Sequence, residues 1–285
     1  MAEYPKKSED QTNEAFQLRK ADKPIDKEES LVHVLATGII CDTEARGHPT
    51  PQGKSPLEIV VDASEGFIPL WAEKTTLKWR FRERSMLAFA KPEAAKNEIR
   101  KLFGEALLAW GDAAPIKFKE DLDVWDFEFV LKQTDSCTTS GCVLASAFFP
   151  DAGRHEFVMY PKMFTQIRKE QVDTFIHEIG HVFGLRHFFA QINEIKWPSE
   201  IFGTHSKFSI MNYGNLSGLT DNDKNDLSQL YQSARTGLLT HINGTPIRLV
   251  SPYSALASNP DGVFALNQVS TVLHPQLRVA YTNRL

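Results

Sequence analysis

The chain has 285 residues, enough to bury one substantial core or two modest ones, and its formal net charge of -4 leaves no basic excess. No Lys/Arg cluster interleaves with aromatics, which argues against a nucleic-acid surface, and no run reaches the roughly 18 apolar residues of a membrane span. Three cysteines are too few for a disulfide scaffold.

Residues 1–30 are rich in Lys, Glu and Asp and poor in apolar side chains, a composition that predicts a disordered or loosely attached tail. They contain no apolar h-region, so no secretory leader is visible. The protein then stays in the cell, leaves by another route, or is numbered after removal of a leader. Residues 31–40 read as a strand, and the Gly, Pro and charged residues after them as an extended connection.

A more regular pattern begins near residue 57. Residues 57–61 and 76–81 read as strands, the second with Leu77, Trp79 and Phe81 alternating with polar positions. Lys91 and Pro92 open a helix in which Ala95, Ile99, Leu102, Phe103, Ala106 and Trp110 recur at helical spacing, and Gly111 stops it. Residues 116–118, 126–131, 143–149 and 157–160 read as further strands. A helix beginning near Lys169 follows, then a loop-like insertion over 188–209. The last helix enters at 219–221, with Thr220 as N-cap and Asp223 three residues on. Residues 237–285 hold short alternating runs such as 247–250 without a legible role, and no internal repeat is present. Cys137 and Cys142 either close a short loop or stay as thiols beside a turn, with Cys41 left over.

The chemistry concentrates in residues 177–187, HEIGHVFGLRH. On a helix, His177 and His181 stand four residues apart on one face and can grip one metal ion. Gly184 ends the helix at a residue that tolerates positive φ, turning the chain so that His187 supplies a third imidazole. Three neutral imidazoles with an open position make a catalytic rather than a structural zinc site. The full spacing arises by chance in roughly one chain of this length in 100,000, which argues against a helix of ordinary histidines. Glu178 follows the first ligand directly, so its carboxylate lies beside the metal, where it can take a proton from a zinc-activated water and pass it to a leaving amine.

The eleven-residue pattern is that of the metzincin zinc peptidases, and Ser209-Ile210-Met211-Asn212-Tyr213 resembles their Met-turn. The resemblance implies that Met211 packs beneath the metal as an apolar floor. A tyrosine two residues later resembles the astacin and serralysin branches, which implies that Tyr213 contacts zinc at rest and swings to hydrogen-bond the tetrahedral intermediate. Residues 141–150 resemble the matrixin edge strand, which implies that Leu144, Ala145, Ser146 and Ala147 pair with an extended substrate through the main chain. Residues 76–81 and 219–231 resemble the matrixin first strand and last helix, so the likeness covers roughly residues 70–235. Phe188 departs from it, standing where matrixins carry Ser, astacins Glu and serralysins Pro. The His-rich segment that binds a second zinc in matrixins has no clear counterpart before Cys142, and the negatively charged start of the last helix explains Asp221, Asp223 and Asp226 without calcium. Latent metzincins block the zinc with a pro-segment cysteine or aspartate, which makes Cys41 and Asp42 a candidate latency switch, although Ile40-Cys41-Asp42-Thr43 does not match the matrixin switch motif.

The expectation is an α/β (α+β) metzincin-like fold, a mixed twisted sheet with a zinc-binding active-site helix and a smaller C-terminal helical subdomain. Residues 1–68 form a charged tail and candidate pro-segment, 69–235 the catalytic domain, and 236–285 a C-terminal extension. The expected activity is zinc-dependent endopeptidase cleavage of a protein or peptide substrate, with Zn2+ as cofactor and no nucleic-acid partner or membrane span. The competing readings are an idle zinc-binding or interaction module and a zinc hydrolase of a non-peptide amide or ester.

Overall fold

Leu77, Trp79 and Phe81 are buried while the residues between them are half-buried, the alternation of a strand with one face on a core. The computed structural model describes residues 14–16, 33–35, 38–41, 59–62, 66–138, 141–187, 199–202, 209–211 and 218–257, with the backbone alone for 14, 33–35, 38–41, 59–62 and 199–202. The first strands are β1 (His33–Leu35), β2 (Gly38–Cys41), β3 (Ile59–Asp62), β4 (Ile68–Trp71) and β5 (Thr76–Phe81). Helices α1 (Glu83–Met86) and α2 (Pro92–Trp110) lead to β6 (Lys117–Glu120), β7 (Phe127–Leu131), β8 (Ser136–Thr138), β9 (Gly141–Val143), β10 (Ala145–Ser146) and β11 (His155–Met159). Then come α3 (Arg168–Val182), β12 (Leu185–Arg186), β13 (Ser199–Phe202), α4 (Asp221–Arg235), β14 (His241–Ile242), β15 (Thr245–Val250) and α5 (Tyr253–Ala257).

The central five-stranded sheet runs β6-β5-β7-β11-β10. Its strands are parallel except for β10, which pairs antiparallel with β11. Parallel neighbours need a crossover, and α2 supplies the one between β5 and β6. Every residue of β7 is buried, as suits a central strand covered on both faces. Helix α2 buries Ala95, Ile99, Leu102, Phe103, Ala106 and Trp110, the stripe expected from its periodicity, and Gly111 ends it at φ +56°. Beneath it, Trp79, Phe103, Phe129, Phe157 and Phe175 form a chain of ring contacts with centroids 5.1 to 5.8 Å apart. Each such buried aromatic contributes about 1.5–3 kcal/mol, so this cluster is a principal support of the sheet–helix interface on which α3 sits.

Several expectations from sequence differ from what folding produces. The strand expected over 143–149 is not continuous: Val143 ends β9, Ala145–Ser146 form β10, and residues 147–149 lie in no strand. Strand β9 pairs with β2 and β8, β10 with β11, and Leu144 between them accepts a hydrogen bond from Tyr160 N at 2.9 Å. The insertion expected as loop contains β13, which pairs antiparallel with β3 over four residues. A four-residue strand has too little periodicity to be read alone; its partner defines it. The charged N-terminal stretch includes Phe16, which stacks on Phe164 with centroids 3.6 Å apart and meets Phe89 edge-on at 6.2 Å. A single aromatic in a polar stretch has no compositional signal, and here a ready-made apolar slot receives it.

Residues beyond α4 pack on the same body. β15 pairs in parallel with β4, from Ile247 opposite Ile68 to Val250 opposite Trp71. The backbone N–H and hydroxyl of Ser254 donate to the buried Asp126 carboxylate at 2.6 and 2.9 Å. Arg154 lies between the rings of Trp125 and Tyr253, 4.5 and 4.2 Å from their centroids. No helix among the described residues is long and apolar enough to cross a membrane.

Candidate metal centre

Helix α3 begins at Arg168, one residue before the expected start, and carries His177, Glu178 and His181 in its buried second half. Phe183 closes it, and Gly184 follows at φ +91°, a left-handed conformation that favours glycine. A Cβ on Gly184 would also meet the Pro69 carbonyl oxygen at 3.4 Å and Leu70 and Pro150 side-chain carbons at 3.5 Å. The chain therefore turns sharply against β4 and enters β12, which ends beside His187. The turn expected at Gly184 is the element that returns the third histidine to the first two.

His177, His181 and His187 are all buried, with ligand nitrogens within 4.8 Å of one another. The Nδ1 of His177 lies 2.8 Å from the Ile210 carbonyl oxygen, and that of His181 2.7 Å from the Leu185 carbonyl oxygen. A carbonyl only accepts, so each Nδ1 carries the proton and donates it, and each Nε2 keeps a lone pair. The Nε2 of His177 lies 3.2 Å from that of His181 and 3.0 Å from that of His187. Two lone pairs facing each other at such a distance are unfavourable without a cation to share. Nitrogens at 2.0–2.1 Å from a tetrahedral zinc lie about 3.3 Å apart, so these two spacings and the tautomers of His177 and His181 fit zinc. Glu178 is 1% exposed and directly follows the first of these histidines.

Ile210 belongs to the turn that carries Met211. The Met211 N–H donates to Ser209 Oγ at 3.2 Å, and Ser209 Oγ donates in turn to Asp223 Oδ1 at 2.5 Å. Asp223 also accepts from Thr220 N and Oγ1, while Thr220 Oγ1 accepts from Asp223 N, completing the capping box of α4. One carboxylate thus ties the helix entrance expected from sequence to the turn beside the histidines. Met211 is 3% exposed and lies against Gly180 of α3, where a Cβ would come within 2.5 Å of its sulfur. Gly180 is what lets the methionine approach the zinc helix, and the motif leaves that position as an unspecified residue.

Of the edge-strand residues, Ala145 and Ser146 form β10 at the edge of the central sheet, while Leu144 and Ala147 flank it. Cys137 and Cys142 face each other across β8 and β9 and are joined by a disulfide, the first of the two alternatives left open by their spacing. Cys41 ends β2, whose residues Gly38–Ile40 pair in parallel with β9. Tyr213 and Asp42 lie outside the described residues.

Other buried groups near the centre had no signal in the motif. Arg186 is 1% exposed and holds its guanidinium 5.7 Å from the Phe149 ring, which stands edge-on to His181 at 5.5 Å. Trp71 Nε1 donates to the Val182 carbonyl at 2.7 Å, Trp110 Nε1 to that of Ile176 at 3.1 Å, and the Tyr231 hydroxyl to that of Phe183 at 3.0 Å. Burial pushes the Tyr231 hydroxyl well above its ordinary range, so it stays a neutral donor, and burial draws the neighbouring Arg235 guanidinium down.

A search of curated proteins finds no match. Among solved structures the chain is similar to myroilysin, with 15% identity and a TM-score of 0.38 over 60% of this chain and 98% of that one. The family described as Matrixin matches residues 70–232, more than half of the sequence and the stretch that contains the central sheet, the three histidines and most of α4. The protein therefore belongs to the matrixin family: it is a zinc metalloprotease with a metzincin-like α/β fold.

Proposed function

We propose that the protein is an endopeptidase in which Glu178 is the general base and acid for cleavage of an internal peptide bond. The observation that carries this reading is the convergence of three buried imidazole nitrogens beside a buried glutamate. His177, His181 and His187 would hold a zinc ion, which would supply Lewis acidity toward a substrate carbonyl and toward a water near neutral pH. Glu178 takes the proton of the attacking water and delivers it to the departing amine nitrogen. The carbonyls of Ile210 and Leu185 hold two of the imidazoles in the tautomer that keeps Nε2 basic. Met211 gives the site an apolar floor, Tyr213 hydrogen-bonds the developing oxyanion, and β10 with flanking Leu144 and Ala147 offers main-chain groups to an extended peptide.

The same reading makes residues 69–235 the catalytic unit, 1–68 a removable segment and 236–285 an extension. The reading also keeps Cys41 or Asp42 as a latency switch, on the family resemblance alone. Untrimmed Cys41→Ala and Asp42→Ala proteins would then be more active than the parent; equal activity removes that role.

Glu178→Ala is expected to bind zinc as the parent does while cleavage of a mixed peptide library falls by at least 10²–10⁴-fold. Equal cleavage by both proteins would overturn the assignment of the base. A parent that binds zinc and cleaves no peptide would instead leave an idle metal module, and hydrolysis confined to simple amides or esters would redirect the substrate class.

A further inference from the structure

The backbone carbonyls through the end of α3 and the turn into β12 are satisfied in two different ways. Those of Ile179 and Gly180 accept from Phe183 N at 3.0 and 3.1 Å, and that of His181 accepts from Gly184 N at 2.8 Å. The Leu185 carbonyl is taken by His181 Nδ1 at 2.7 Å. All four are local: the first three are backbone bonds of a helix end that runs into a left-handed residue, and the fourth comes from a histidine of the same motif. The carbonyls of Val182 and Phe183 are taken by side chains from elsewhere in the fold, Trp71 Nε1 at 2.7 Å and Tyr231 Oη at 3.0 Å.

Both donors are buried and cross-braced. Trp71 N donates to Tyr231 Oη at 3.3 Å, so the tyrosine hydroxyl accepts from one side while donating to the other. Arg235 Nη2 donates to the carbonyls of Trp71 and Ala72 at 3.1 Å each and to that of Pro115 at 2.8 Å. Strand β15 extends the brace, with Val250 opposite Trp71 and its carbonyl accepting from Ala72 N at 2.9 Å. Between the two clamped carbonyls and His187 lie only Gly184 and β12.

We infer that Trp71 and Tyr231 are positioning residues for the metal centre, held in place by Arg235 and β15. By fixing the last two carbonyls before Gly184, they fix the direction in which the chain turns and hence the point at which His187 meets His177 and His181. Their effect passes through the backbone rather than through contact with substrate or metal. The C-terminal hairpin, whose sequence carries no legible role, thereby becomes part of the outer frame of the site. The inference rests on the reading of the three histidines as zinc ligands.

The test uses the full chain as parent, Tyr231→Phe, Trp71→Phe and Leu230→Ala, the last a control that loosens the same helix through its apolar face. Zinc affinity is measured by competition with a chromophoric chelator, and coordination geometry by the visible absorption of the Co2+-substituted proteins. Tyr231→Phe and Trp71→Phe are expected to bind zinc 10–100-fold more weakly and to shift the Co2+ bands. Leu230→Ala is expected to lower Tm while leaving affinity and bands unchanged. Parental affinity and parental bands in Tyr231→Phe would overturn the inference whatever its Tm. Should Tyr231→Phe fail to fold, Trp71→Phe, which keeps an aromatic ring and loses the Val182 bond, decides on the same criteria. A parent that binds no zinc would instead overturn the ligand reading itself.

Discussion

Helices α2 and α3 are held in two unlike ways. Their outer faces carry ion pairs: Lys96 with Glu83 and Glu93 at 2.8 Å, Arg100 with Glu120 at 2.6 Å, and Arg168 with Glu98 and Glu105. The buried end of α3 is held instead by hydrogen bonds from Trp71, Trp110 and Tyr231 to single backbone carbonyls. These pairs reach solvent on at least one side, the Glu83 and Glu93 carboxylates being exposed although Lys96 itself is buried, so water screens them and they add little. The end-of-helix carbonyls of Val182 and Phe183 would go unsatisfied without their donors, which makes these inner bonds directional and costly to break. The difference teaches where the precision of the site resides: of the outer pairs, Arg168 links α3 to α2 and those of Lys96 and Arg100 link α2 to α1 and β6, while the inner bonds decide where the imidazoles point.

The most severe way to break the inner region is Gly184→Ala. At φ +91° an L side chain costs about 1–2 kcal/mol, a strain that the ordinary contacts its Cβ would make with Pro69, Leu70 and Pro150 do not offset. The expected loss in Tm is several degrees. Because the strain sits between α3 and His187, activity at limiting zinc is expected to fall by about 10²-fold, well beyond what the stability change explains. A variant that loses stability and keeps full activity at limiting zinc would show that the turn does not set the third ligand.

Gly180→Ala asks a subtler question of the same region. Alanine improves helix propensity by about 1 kcal/mol, but its Cβ requires the Met211 sulfur, 2.5 Å away, to move. The methionine end is flexible, so the expected outcome is a Tm within a few degrees of the parent and activity reduced by about tenfold. Unchanged activity would mean that close packing of Met211 on α3 is dispensable.

How much of this could be read from the chain follows the same division. The clamp histidines, Glu178 and the Gly184 turn were legible because they lie within eleven residues and obey helical periodicity. The Thr220–Asp223 capping box was legible for the same reason. The donors to Val182 and Phe183 were not, since they come from 111 and 48 residues away and a Trp or Tyr carries no mark of its hydrogen-bond partner. The Cys137–Cys142 bond stayed open because a separation of five residues does not reveal the β8–β9 register that sets the two side by side. Strand β13 is likewise decided by a partner strand distant in sequence. Local periodicity exposes the chemical groups; long-range pairing, which orients them, leaves no local pattern.

The smallest expected effect lies on the outer face, and its pH dependence sharpens the contrast. The hydrogen bond from Lys96, followed by the lysine charge, holds the Glu93 carboxyl below its usual range. A carboxylate whose folded pKa is depressed stabilises the fold above its unfolded value of about 4.3, and the contribution is lost as pH falls through the folded value. Glu93→Gln is therefore expected to melt within about 2 °C of the parent near pH 7 and to converge with it by about pH 3. Zinc affinity at neutral pH should match the parent, since the pair touches none of the carbonyls that aim the histidines. A difference in Tm that widened on acidification would reverse the sign of the pair, and a loss of zinc affinity would show that the outer face also steers the site.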